Sequence, residues 1–167
     1  IIVICICFSA EVTNLNKFSY NKLSSNLSSL ELEVGLESSE NLNGYQRITG
    51  SNSNHTIDEG YPELPTYTTF YQLDPEKEYE VELVVHDSYT VENIMVYPHQ
   101  GNNKEGDPFL VNSVFYSSNN SYPTNNIESS DRMHSRGFDL ISIQVIPYNF
   151  YPASNTLEVF SDIEVLV

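Results

Sequence analysis

Ile141-Ser142-Ile143-Gln144-Val145-Ile146-Pro147-Tyr148-Asn149-Phe150-Tyr151-Pro152-Ala153-Ser154-Asn155-Thr156-Leu157-Glu158-Val159 is the stretch on which the choice of fold rests. Ile141, Ile143 and Val145 fall on one side and Ser142 and Gln144 on the other. That period of two belongs to a half-buried strand, not to a helix. Pro147 stops the strand, because proline has no N–H to give to a ladder. Further on, Leu157, Val159, Ile163, Val165 and Val167 share one face, with Glu158, Asp162 and Glu164 opposite.

The same reading extends upstream. Leu30, Leu32, Val34 and Leu36 alternate with Glu31, Glu33, Gly35 and Glu37, and residues 45–49 form a partner strand after the turn dipeptide Asn43-Gly44. Gly60-Tyr61-Pro62-Glu63-Leu64-Pro65 is an extended edge segment leading into a strand over 67–73, and Asp74-Pro75-Glu76-Lys77 is a turn. Tyr79, Val81, Leu83 and Val85 form a strand face, and 91–97 is a further strand closed by Pro98. Residues 99–108 and 117–135 are two long polar loops around the short apolar piece 109–116. No window shows 3.6-residue periodicity. Roughly seven to nine short strands with Gly, Pro and Asn turns predict an all-β chain, an antiparallel β-sandwich or a barrel.

The chain has 167 residues, which is about one domain. Lys and Arg number 7 against 23 Asp and Glu, a net charge of −16. That balance leaves no broad basic face for nucleic acid or an anionic membrane. Apolar residues make up 40% and aromatics 12%, too much for a disordered chain.

Both cysteines, Cys5 and Cys7, lie in the apolar run Ile1-Ile2-Val3-Ile4-Cys5-Ile6-Cys7-Phe8. The run is too short to span a bilayer, which takes about 20 residues. With Ser9 and Ala10 behind it, residues 1–10 read as a signal peptide truncated at its start, and no membrane span is expected. A start without Met and a finish in mid-strand at Val167 suggest a piece of a longer reading frame. Residues 11–29 are polar and Asn/Ser-rich and read as a loosely packed leader, and 30–167 as the sandwich. With the signal removed, neither a disulfide nor a cysteine nucleophile remains.

Little in the chain suggests catalysis. His86-Asp87-Ser88 has the letters of a hydrolase triad, but successive strand residues point to opposite faces. It reads as a strand end entering a turn. His55, His99 and His134 stand apart in loops without zinc-site spacing and read as surface polar residues. Glu78, Glu80 and Glu82 read as a solvated strand face, not a Ca²⁺ site. Asn26, Asn54 and Asn119 begin N-glycosylation triplets of the kind an Asn/Ser-rich chain produces by chance. No catalytic residue, metal or cofactor is expected. The scarce basic residues are more telling. Lys104 stands at the tip of Gly101-Asn102-Asn103-Lys104-Glu105-Gly106-Asp107-Pro108, and Arg132 and Arg136 bracket the end of the second loop. An exposed basic side chain on a loop can enter an acidic protease pocket.

Several of these pieces, in order, resemble the propeptide of gingipain-type cysteine peptidases, family C25. Gly60-Tyr61-Pro62-Glu63-Leu64-Pro65 resembles its "G-x-P-x-L-P" opening, Tyr97-Pro98-His99-Gln100 its Pro-x-Gln strand exit, and Arg136-Gly137-Phe138-Asp139 its late Gly-aromatic segment. Residues 143–152 resemble the "V-x-P-aromatic…Y-x-P" segment, although Tyr151 and Pro152 are adjacent here, and Asn155-Thr156-Leu157-Glu158-Val159 matches "N-x-L-x-V". The resemblance covers residues 30–167, and the chain departs from the pattern in its scarcity of Lys and Arg. It implies a β-sandwich prodomain of a secreted or cell-surface cysteine endopeptidase, exported through the periplasm. Such a prodomain covers the active-site cleft of the catalytic domain downstream in the same chain and aids its folding. It also implies a basic side chain in the specificity pocket, with Lys104 the first candidate and Arg132 the second. The alternative is a non-catalytic adhesion or carbohydrate-binding sandwich, with Tyr67, Tyr71, Tyr89, Tyr97 and Tyr116 as a stacking platform.

Overall fold

The computed structural model describes residues 18–24, 27–35, 38–50, 52–104 and 106–167. The proposed signal segment lies outside them.

The two alternating stretches that decide the fold become the central strands of two facing sheets. In the first sheet the long strand β12 (Thr156–Leu166) carries almost everything. On one side it pairs along its length with β7 (Glu82–Glu92). On the other it pairs with β11 (Tyr148–Tyr151) and then with β2 (Ser28–Glu33), and β1 (Phe18–Lys22) adds to β2. In the second sheet β10 (Phe138–Val145) pairs with β6 (Pro65–Leu73) on one side and with the short strands β8 (Ile127–Ser129) and β9 (Met133–Ser135) on the other. The two-residue β5 (Asn54–His55) extends the β6 edge. β3 (Ser38–Leu42) and β4 (Tyr45–Thr49) form a separate hairpin. All the paired strands of both sheets run antiparallel.

The inner faces interlock into one core. Ile141, Ile143 and Val145 from β10 and Tyr67 from β6 meet Leu32, Leu157, Val159, Ile163 and Val165 from the first sheet. Each of these side chains contributes about 1.5–3 kcal/mol by leaving water. The periodicity therefore acts directly through burial.

Five local expectations change. The count rises to β1–β12 among the described residues, above seven to nine, through very short strands such as β5, β8 and β9. The polar segment 11–29 supplies β1, whose Phe18 is buried in the core. In place of the two strands expected at 79–85 and 91–97 there is one strand, β7, that runs straight through His86-Asp87-Ser88 and ends at Glu92, while 93–97 holds only an isolated bridge at Val96. Register shifts between Phe160 and Ile163 let β12 and β7 stay paired across this polar stretch. Among the described residues β7 pairs with β12 alone, so polar residues suit its far side. Finally, Glu78 and Glu80 precede β7, and the partner of β4 is β3 rather than the strand at 30–37. Asn43 and Gly44 take positive φ values of 52° and 82°, as a tight two-residue hairpin turn requires.

Candidate functional site

The two prolines at 62 and 98 decide the local geometry of the region around Lys104. Neither can enter a regular ladder, so the segments carrying them meet in a single bridge, Pro62 with Pro98. Backbone bonds reinforce it, from Glu63 N to Tyr97 O (2.8 Å), His99 N to Tyr61 O (2.7 Å) and Gly60 N to His99 O (2.8 Å). Thr56 ties in a third segment, its hydroxyl donating to Pro62 O at 2.7 Å and accepting from Leu64 N at 3.0 Å.

The loop 100–110 rises from this base, held by the side chain of Gln100. Its Nε2 donates to Pro98 O at 2.8 Å and Leu110 O at 2.9 Å, while its Oε1 accepts from Leu110 N at 2.8 Å. Asn103 Nδ2 crosses the loop to Pro108 O at 3.0 Å. At the tip Lys104 N donates to Asp107 Oδ2 at 2.8 Å, and Asp107 N returns to Lys104 O at 3.0 Å. Gly101 has φ +59°, and a Cβ there would stand 2.4 Å from the Glu59 carboxylate, so the turn needs glycine. Phe109 anchors the returning limb between Tyr45 and Tyr97, each 5.6 Å away between ring centroids. The Lys104 side chain is exposed on this tied loop.

Arg132 is placed very differently. Its Nη1 donates to Asp139 Oδ2 at 3.1 Å, Pro75 O at 3.1 Å and Asp74 O at 3.3 Å, and its Nη2 donates to Lys77 O. The guanidinium also lies 5.9 Å from the centre of the Tyr79 ring. It closes the turn between β6 and β7 onto β10, where His134 takes the other oxygen of Asp139.

The histidines correct the sequence reading. His55 and His99 are not isolated, since their rings lie 5.2 Å apart at the base of the loop. The buried Glu63 joins them, with Oε2 2.9 Å from His99 Nδ1. Arg47 Nε lies 2.9 Å from Glu63 Oε1, an ionic contact without hydrogen-bond alignment, and its guanidinium stacks 4.6 Å from the centre of the Tyr97 ring. Among the described residues, His55, Glu63 and His99 are the group whose ligand atoms converge as a metal would need. Their separation in sequence hides them, because only the proline bridge brings them together. The bracing role of Gln100, which the sequence shows only as part of the Pro-x-Gln segment, is hidden for a related reason, since its partners are backbone atoms. His86 instead pairs with Glu164 at 3.1 Å on the outer face of the first sheet.

The tyrosine platform does not form. Tyr67 and Tyr97 are buried, Tyr71 donates to Ser28 Oγ at 2.8 Å, and Tyr116 donates to Val96 O at 2.7 Å. Of the five, Tyr89 alone is largely exposed. Burial pushes the Tyr116 and Tyr122 hydroxyls well above the usual phenol range, and the Asp58 carboxylate accepting from Tyr122 adds to the second. Both stay protonated donors.

A family model described as Propeptide_C25 matches residues 11–167. No curated protein matches the chain. A solved complex of the Porphyromonas gingivalis RgpB pro- and mature domains is similar, with 15% identity and TM-score 0.72, over 90% of this chain and 82% of that one. A structure of gingipain K from the same organism, described as giving insight into zymogenic latency, is similar with 16% identity and TM-score 0.69, over 89% of this chain and 90% of that one. At such identities the likeness establishes a shared fold.

Proposed function

Because the chain belongs to the C25 propeptide family, we propose that it keeps a cysteine peptidase catalytic domain latent by covering its active-site cleft, with Lys104 as the residue that enters. It is a propeptide domain, not a catalytic one. The observation that carries the assignment of Lys104 is the loop beneath it, fixed by Gln100, Asn103 and Asp107 before any partner arrives. A segment already ordered loses little conformational entropy on docking. Attachment to the same polypeptide raises its effective concentration to roughly the millimolar range. Arg132 would have to leave three carbonyls and a carboxylate to do the same work, which favours Lys104. The net charge of −16 suits a catalytic domain that presents positive charge around an acidic specificity pocket. The parent is secreted or displayed at the cell surface after export through the periplasm. No described helix is long and apolar enough to cross a membrane.

The test is inhibition of the mature peptidase by this chain added in trans. Lys104→Ala should raise the inhibition constant at least tenfold, about 1.4 kcal/mol, with no change in melting temperature. An unchanged constant would remove Lys104 from the interface. Absence of inhibition by the unaltered chain would overturn the latency reading itself.

A further inference from the structure

We propose that His55, Glu63 and His99 form a binding site for a borderline transition-metal ion, Zn²⁺ foremost, at the base of the 100–110 loop. The ligand types decide the class of metal. Two imidazoles and one carboxylate are the set that Zn²⁺ takes in open three-ligand sites. Ca²⁺ and Mg²⁺ prefer oxygen throughout and would find one carboxylate.

The geometry fits with little movement. His99 Nδ1 and Glu63 Oε2 are 2.9 Å apart. Two ligands at about 2.0–2.1 Å from one zinc ion have that separation when the angle between them is about 90°. The three ligand atoms all lie within 4.8 Å of one another. His55 stands on the exposed side of the three, where its ring is not enclosed by the core. The backbone under the ligands is already fixed. Glu63 and His99 are held by the proline bridge and its bonds, and Thr56, next to His55, is bonded to Pro62 and Leu64. A chelate preassembled in this way loses little entropy when an ion enters.

Arg47 completes the arrangement. It occupies Glu63 Oε1, on the side away from His99, and so orients the carboxylate with Oε2 toward the two imidazoles. Support of a ligating group by a second residue is the usual arrangement around bound metals. The outer side of the cluster, beside His55, stays open to water, which supplies the remaining coordination position.

The proposal does not depend on peptidase inhibition, and its test uses no peptidase. Calorimetric titration of the 167-residue chain with Zn²⁺ should give saturable one-to-one binding and a raised melting temperature, while Mg²⁺ and Ca²⁺ leave the melting temperature unchanged. Co²⁺ should develop the intense visible bands of a four-coordinate site. His55→Ala removes an exposed ring, so the metal-free protein should melt as before while Zn²⁺ affinity falls at least tenfold. His86→Ala, on the other sheet's outer face, should bind Zn²⁺ like the unaltered chain. The site is refuted if the unaltered chain shows no saturable binding, if His55→Ala retains full affinity, or if His86→Ala carries the loss instead.

Discussion

Gln100 and Lys104 share one loop with a division of labour that substitutions can separate. Lys104 is the exposed side chain proposed to enter the peptidase cleft, and no described residue is held by it, whereas Gln100 faces inward and satisfies backbone groups on both limbs. Gln100→Ala leaves the N–H and carbonyl of Leu110 without the partners they have now. It should therefore cost about 1–3 kcal/mol of stability and raise the inhibition constant several-fold, because the loop must then be ordered on docking. Paired thermal melts and inhibition assays measure both effects. A lowered melting temperature with an unchanged inhibition constant would mean that loop order plays no part in docking. The exposed loop position of Lys104 was legible in the sequence, since a lone basic residue between glycines at a loop tip is a local signal. Gln100 was not, since nothing in a glutamine announces that its amide will span the foot of a loop.

At the level of elements, Arg132 works as a clamp. It joins the turn between β6 and β7 to β10 through backbone carbonyls and the buried Asp139 carboxylate. Arg132→Met keeps the length of the side chain but strands that carboxylate with His134 as its remaining ion partner. The expected loss is roughly 2–4 kcal/mol, because a buried carboxylate left with only the exposed His134 is poorly compensated. Urea unfolding measures it, and a loss below about 0.5 kcal/mol would place the pair among weak surface contacts. Asp139→Asn should suppress much of the effect, since the two changes act on one interaction. β10, on one side of this clamp, was legible from alternation alone, Ile141, Ile143 and Val145 facing inward as expected. β7 was not, because the polar run His86-Asp87-Ser88 resembles a turn when read without its partner. A compensating register shift in β12 keeps it in the sheet, and such compensation is a tertiary effect.

Across the whole molecule, the tyrosines make the response to alkali predictable. Tyr71, Tyr116, Tyr122 and Tyr151 all have hydroxyls raised above the usual phenol range, with burial the leading cause in each. A phenol raised in the folded state stabilises the fold fully below the unfolded value of about 10. That stability is lost as pH climbs from there toward the folded values, because the unfolded chain releases protons that the fold retains. Unfolding midpoints should thus be steady on approach to pH of about 10 and fall beyond it, with the tyrosinate absorbance of these four residues appearing together with unfolding. Ionisation of these four hydroxyls in the still-folded chain at pH of about 10 would contradict this. The sandwich as a class was legible because burial writes a period of two into each strand. The cluster of His55, Glu63 and His99 was not, because contacts across long stretches of sequence leave no periodic trace. The placement of β12 has one more effect. It is the last strand of the described fold and the one to which β2, β7 and β11 all attach. During synthesis, β1, β2 and β7 leave the ribosome without the strand that joins them, so the nascent segments stay open to chaperones and proteases until Thr156–Leu166 has emerged.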